Sequence, residues 1–256
     1  ANATLSKNEV KEKDEQENIY PYRMERGYRV NQAKGLIALG LFKDYDDIRN
    51  SPKQTFGNYM PGDIKYKDVN GDGIIDDQDQ VAVGATTVPN LVYGIGVSAQ
   101  WKGLDVNVHF QGAGKSSFFI DGEGVRPFAS GNRGNFYQEV IDGRWISKEE
   151  SGTIATENPH AKYPRLSYGY NDNNNRNSSY WLRNGSYLRL KTLEVGYTLP
   201  KKIVNRIHFN NIRIYMIGTN LITWSKFKMW DPEMNSSNGA TYPLAKSVTV
   251  GLNVNL

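Results

Sequence analysis

The final eleven residues, Lys246 to Leu256, alternate without a break. Val248, Val250, Leu252, Val254 and Leu256 fall on one side, and Ser247, Thr249, Gly251, Asn253 and Asn255 on the other. A period of two fits an extended strand with one apolar and one polar face, and no helix. Such a strand needs a backbone partner, and each of its faces needs a different environment.

Five more segments carry the same pattern, so six strands are expected. The first runs from Ala1 to about Asn8, with Ala1, Ala3 and Leu5 against Asn2, Thr4 and Ser6. Because it begins at once and Ala1 is not a Met, the chain is expected to be a piece of something longer, cut inside a sheet. Leu91–Gln100 sets Leu91, Tyr93, Ile95, Val97 and Ala99 against Gly94, Gly96, Ser98 and Gln100. Leu104–Gly112 sets Leu104, Val106, Val108 and Phe110 against Asp105, Asn107, His109 and Gln111. Ser186–Leu199 changes phase at Lys191–Thr192, which predicts a β-bulge. Asn211–Ile222 places Ile212, Ile214 and Met216 on one face.

The connections are lopsided. Trp101-Lys102-Gly103 is a tight hairpin turn, and about ten residues around Pro200-Lys201-Lys202 join the fourth and fifth strands. The other three connections are long: about 80 residues (11–90), about 70 (113–185) and about 24 (223–246). Compact domains rarely carry such loops. If the strands zigzag, all long loops fall at one edge and all short turns at the other. That asymmetry, with strands of nine to fourteen residues, fits an outer-membrane β-barrel with long extracellular loops. The closing run also resembles the terminal recognition signal of such barrels. A soluble β-sandwich would alternate equally well, but the polar row Asp105, Asn107, His109, Gln111 suits a water-filled lumen. On the terminal strand, Val248, Val250, Leu252 and Val254 are expected to face lipid, and Thr249, Gly251 and Asn253 the lumen.

Composition agrees. The 256 residues include no Cys and 16 Tyr against 9 Phe, and Tyr suits a boundary between apolar and wet surroundings. Mean hydropathy is −0.62 and no apolar run reaches the length of a helical span. A net charge of +4 is too small and dispersed to argue for nucleic acid.

The strongest chemical motif is D-V-N-G-D-G-I-I-D-D-Q-D, Asp68 to Asp79. Side-chain oxygens at Asp68, Asn70, Asp72, Asp76 and Asp79, with the Ile74 carbonyl, follow the spacing of an EF-hand loop, and Gly73 stands at its sharp turn. Hard divalent cations want six or seven such oxygens, so a calcium site is expected. Asp79 stands where Glu is usual, which shortens one arm. The flanks Gly62–Tyr66 and Val81–Gly84 read as extended, so this is a loop of the dockerin type, not a helix-opening sensor. An acidic Asx-rich turn without metal is the plainer alternative.

Nothing points to catalysis. No Cys is available as nucleophile, and His109, His160 and His208 lie far apart with no ligand partner at helical spacing. Gly94-x-Gly96 is a strand feature and no helix follows it; Gly122-Glu123-Gly124 is equally weak. Aromatics crowd the long loops, from Phe118 and Phe119 through Trp145, Tyr163, Tyr168 and Trp181 to Trp224, Phe227, Trp230 and Tyr242. Small satellite cores are the default reading of them; a platform for sugar rings or a partner protein is the other. Tyr170–Ser179, Y-N-D-N-N-N-R-N-S-S, is expected to be an exposed tip, too polar to pack.

Five ordered segments then carry a family resemblance. They are residues 62–76 (G-D-I-K-Y-K-D-V-N-G-D-G-I-I-D), 178–200, 212–224 (I-R-I-Y-M-I-G-T-N-L-I-T-W), 230–234 (W-D-P-E-M) and 242–256. Together they resemble the C-terminal part of SusC/RagA-type TonB-dependent outer-membrane transporters, from about residue 18 onward. Leu256 departs from the usual terminal Phe.

The resemblance implies an all-β chain: the last six or so antiparallel strands of a 22-stranded transmembrane barrel, with residues 1–256 lacking the N-terminal plug and earlier strands. It implies import of nutrients too large for porins, oligosaccharides or peptides, across the outer membrane of a Bacteroidetes-like Gram-negative cell. It implies a SusD-like surface lipoprotein as partner and TonB acting through the absent plug. The excursion 11–90, with its calcium loop 68–79, would be extracellular. Cargo contacts are expected from lumen positions such as Asn107, His109 and Gln111. The alternative is a secreted, calcium-stabilised β-rich binding module or adhesin.

Overall fold

The structure is a computed structural model that describes residues 1–130, 135–234 and 236–255. One six-stranded antiparallel sheet organises it, and its strands lie side by side in chain order: β1 (Asn2–Leu5), β2 (Leu91–Trp101), β3 (Leu104–Gly114), β4 (Tyr187–Thr198), β5 (Asn211–Ser225) and β6 (Ser247–Asn255). This is an open meander, with β1 and β6 as its edges. The first strand is shorter than its alternation suggests, because pairing with β2 ends at Leu5 opposite Leu91. Leu256 lies outside the described residues.

Register makes the two faces continuous. One row runs Ala99, Val106, Val195, Met216, Val250, and the next runs Trp101, Leu104, Tyr197, Ile214, Leu252. The side chains of this face are largely uncovered, Val97 at 61% and Val250 at 71% exposure. A soluble sheet would bury such a face. The opposite face carries Ser98, Asn107, Glu194, Ile217 and Thr249 in one row and Gly96, His109, Thr192, Thr219 and Ser247 in another. Aromatics flank the apolar band: Trp101 and Tyr197 at the short-turn end, Tyr93 and Trp224 toward the other. From Tyr93 to Trp101 is eight residues, roughly 26 Å of strand, close to the height of a membrane barrel's apolar band.

The bulge stands where the phase change puts it. His109 and Phe110 are adjacent on β3, but their partners Thr192 and Leu190 on β4 are separated by Lys191. On β5 the corresponding Thr219 and Ile222 are separated by two residues, one of them Asn220 with φ 52°. In the hairpin, Lys102 and Gly103 both have positive φ, 45° and 89°, as a two-residue turn of the right twist requires.

The three long connections gather at one edge of the sheet and share one core. Leu36, Leu41, Phe56, Ile64 and Tyr66 of the first pack with Ile120, Val140, Trp145, Tyr163 and Trp181 of the second, and with Phe227 of the third. Burial of each large side chain contributes about 1.5–3 kcal/mol, so the loops are folded substructures and not separate satellites. Phe118 meets Phe227 edge-on with centroids 5.1 Å apart, and Tyr137 meets Trp230 at 5.7 Å.

One expectation is reversed here. Tyr170–Ser179 is not an exposed tip: Asn173, Asn174 and Ser178 are buried in this core. The asparagines answer backbone groups of the first long loop. Asn174 Oδ1 accepts the Ile64 N–H at 2.9 Å, Asn173 Nδ2 donates to the Ile64 carbonyl at 2.9 Å, and Tyr66 Oη donates to the Asn173 carbonyl at 2.6 Å. The asparagines of a polar segment can pack because their buried groups find partners.

Candidate functional site

Two places hold the expected site residues: the polar face of the sheet and the loop Asp68–Asp79. On the sheet, Asn107, His109 and Gln111 do share one face of β3, opposite Ser98, Gly96 and Gly94 of β2 and Glu194, Thr192 and Arg189 of β4. His109 is exposed and the other two are half-buried. His109, His160 and His208 belong to separate elements, a strand, a loop and a helix end.

Two arginines dominate this face, and sequence reasoning passed over both. Arg213 of β5 reaches across β4: its Nε donates to Asp105 Oδ1 at 3.0 Å, and its Nη2 donates to Asp105 Oδ2 and Glu194 Oε1, each at 2.5 Å. The guanidinium also lies 5.0 Å from the Tyr215 ring centre. Arg189 of β4 is almost fully buried at the long-loop end. Its Nη2 donates to both oxygens of Asp231, at 2.6 and 2.8 Å, and its Nε stands 3.2 Å from Glu233 Oε2. Asp231 and Glu233 come from the W-D-P-E-M segment, which thereby ties the third long loop to the sheet. Each arginine faces two carboxylates, so both clusters carry net negative charge. A lone charged residue inside an alternating strand, as in I-R-I-Y-M, was the available signal.

The 68–79 loop has the backbone its glycines predict, with Gly71 and Gly73 left-handed at φ 77° and 83°. Its donors are all oxygen, which suits a hard cation in kind. They are, however, turned to the loop's own N–H groups. Asp68 accepts from Gly71 at 2.6 Å and Gly73 at 2.8 Å, and Asp72 accepts from Ile74 at 2.8 Å. Asn70 Oδ1 accepts from Asp72 at 3.0 Å. Asp76 caps the 3₁₀ turn Asp77–Asp79. Asp79 is fully buried and closes the loop, accepting from Val69 at 2.7 Å and Asp76 at 2.9 Å. Among the described residues, no three acidic or histidine side chains are gathered closely enough to hold a metal.

Next to this loop Asp63, fully buried, anchors the shared core. It takes the Arg165 guanidinium, with Nε 2.8 Å from Oδ1 and Nη2 3.0 Å from Oδ2, the Asn174 amide at 2.7 Å and the Met60 N–H at 2.9 Å. Burial pushes its carboxyl up, and Arg165 with these hydrogen bonds opposes the rise.

No family model matches the chain. It is 31% identical over 242 residues to TonB-dependent receptor P26 of Formosa agariphila, matching 89% of this chain and 23% of the relative. TonB-dependent receptor P3 of the same organism is 26% identical over 241 residues, matching 85% of this chain and 22% of that protein. The chain thus spans about a quarter of the length of these relatives. Among solved structures, the RagAB peptide transporter superposes with a TM-score of 0.63 at 20% identity, covering 90% of this chain and 23% of that one. The RagAB peptide importer in its open-open state gives 0.61 at 19% identity over the same share of each chain. Among the described residues no helix is long and apolar enough to cross a membrane. By sequence and by fold, the chain belongs with the TonB-dependent receptors, as a segment of a SusC/RagA-type β-barrel.

Proposed function

We propose that this segment is part of the wall of an outer-membrane, TonB-dependent importer. One observation carries the reading: a single meander holds an exposed apolar face, a polar face and three long loops packed together at one rim. In this reading the apolar face meets lipid, the polar face lines the passage, and the loops are extracellular. The edges β1 and β6 pair with strands elsewhere in the same barrel, because lipid tolerates no open edge. The alternative, a secreted calcium-stabilised module, has no use for an uncovered apolar face of this size.

The cargo class is oligosaccharide or peptide, too large for porins. The family resemblance supports the first, and the name of the RagAB peptide importer supplies a precedent for the second. A SusD-like lipoprotein would sit over the long loops, and TonB would act through a plug outside this chain. Asn107, His109 and Gln111, on the polar face, are candidate cargo contacts. Growth of a strain lacking the receptor, supplied with one oligosaccharide or peptide mixture at a time, tests the reading. Unchanged growth on every such source, and no lipoprotein recovered with the detergent-solubilised receptor, would count against it.

The loop Asp68–Asp79 is proposed as a calcium clip for the first long loop. Asp68, Asn70, Asp72, Asp76 and the Ile74 carbonyl would supply oxygens, and the buried Asp79 would fix the loop's closure. Its spacing and left-handed glycines support this; calorimetry with calcium on the intact receptor tests it.

A further inference from the structure

The apolar face of the sheet ends in positive charge at the long-loop end of β5. There the exposed Ile222 and Trp224 alternate with the half-buried Thr223 and Ser225. The alternation of exposure continues past the strand's last residue: Lys226 and Lys228 are exposed, and Phe227 between them is buried in the loop core. Two ammonium groups thus follow Trp224 on the exposed side. Trp224 itself closes the row Tyr93, Gly112, Leu188, Trp224 of the apolar face. The lysines stand two and four residues beyond it, where that face gives way to the loops.

The same lysines line a cavity of about 200 Å³ with Lys162 and with Arg183 of the short strand Leu182–Asn184. Among the described residues its lining holds one carboxylate, Glu139, which is ion-paired with Lys162. Arg183, Lys226 and Lys228 are left there without a counter-charge. Arg183 is half-buried and fixed, its Nη1 donating to the Tyr180 and Leu182 carbonyls at 2.7 and 3.1 Å. A partly desolvated guanidinium beside two ammonium groups attracts an anion with several oxygens. Phosphate fits best, because the arginine fork matches its oxygens and lysine binds it as a point charge. The place selects the source: an aromatic at the end of an apolar band marks the membrane border, where lipid headgroups lie.

We propose that this cavity binds a phosphate group on the headgroup of an outer-leaflet lipid, with Arg183, Lys226 and Lys228 as its cations and the lipid's chains against Trp224 and Leu188. The inference rests on the membrane-wall reading above and adds to it a specific lipid site.

The test is isothermal titration of the intact receptor in detergent with lipid A carrying its phosphates and with the same lipid after dephosphorylation. The phosphorylated lipid should bind about tenfold tighter. Combined Lys226→Gln and Lys228→Gln, both at exposed side chains, should remove most of that difference. Lys102→Gln, at the opposite end of the sheet, should leave it whole. Inorganic phosphate at the lipid's concentration should not displace the lipid. Equal binding of the two lipids, a preference that survives the double substitution or is lost equally with Lys102→Gln, or displacement by equimolar inorganic phosphate would overturn the proposal. Fractionation of the cells separates two failures. A receptor found in the outer membrane but without the lipid preference refutes this site alone, and a receptor absent from the outer membrane refutes the membrane reading and this site with it.

Discussion

Gly196 of β4 is shaped to Arg213 of β5: a Cβ at position 196 would lie 2.7 Å from the Arg213 guanidinium carbon. The missing side chain opens the path along which Arg213 crosses β4 to reach Asp105 on β3. Three consecutive strands are thereby pinned on their polar face by one cation and two carboxylates. The glycine and the ion cluster are one device.

Gly196→Ala should therefore displace Arg213 and cost about 1–3 kcal/mol through overpacking. Arg213→Ala, which leaves Asp105 and Glu194 facing each other, should destabilise the barrel as well. In the double variant the two effects should fall short of additive, because both break the same contact. Thermal unfolding of the detergent-solubilised receptor, read as its gel-mobility shift, measures all three. Additive losses would separate the glycine from the arginine.

The two faces of β6 should tolerate charge differently. Val250→Lys places an ammonium in the middle of the apolar rows and should cost roughly 2–4 kcal/mol. Asn253→Lys, on the polar face, should cost much less. Outer-membrane levels of assembled receptor report the difference, and equal tolerance would contradict the assignment of faces.

Asn173 should prove structural despite its polarity. Asn173→Ala removes one of two partners from the Ile64 carbonyl and from Gln54 Nε2, which donates to Asn173 Oδ1 at 2.5 Å and to the Ile64 carbonyl at 3.0 Å. Each of the two buried hydrogen bonds lost should cost about 0.5–1.5 kcal/mol. Hydrogen exchange should speed up together in residues 54–66 and 171–181, while β2 to β5 stay protected.

Asp72→Ala removes a central oxygen of the proposed calcium clip. Calcium should protect residues 60–85 from proteolysis in the parent receptor and not in the variant, with the barrel assembled in both. Equal cleavage with and without calcium in the parent would leave the loop as a metal-free turn.

The sheet was legible in the sequence because period-two alternation with one apolar face specifies register almost by itself. The β4 bulge was legible for the same reason: one extra residue, Lys191, flips the phase. On β5 the insertion is two residues, Asn220 and Leu221, and an even insertion leaves the phase unchanged, so nothing marked it. The loop core was harder. Asn173, Asn174 and Ser178 break the link between polarity and exposure, and the asparagines' partner Ile64 lies more than a hundred residues away in sequence. The Arg213–Asp105 contact also needed the register of two strand pairs before either residue could be assigned a neighbour. The oxygen spacing of Asp68–Asp79 was plain, whereas the inward turn of Asp79 follows from hydrogen bonds that spacing does not encode.

The central claim is that this sheet spans a membrane with its long loops outside and its short turns inside. The segment contains no cysteine, so single substitutions Tyr168→Cys and Lys102→Cys place unique thiols at opposite ends of it. A membrane-impermeant maleimide applied to intact cells should label the Tyr168→Cys receptor and reach Lys102→Cys only after the outer membrane is permeabilised. Labelling of Lys102→Cys on intact cells with Tyr168→Cys protected would contradict the account.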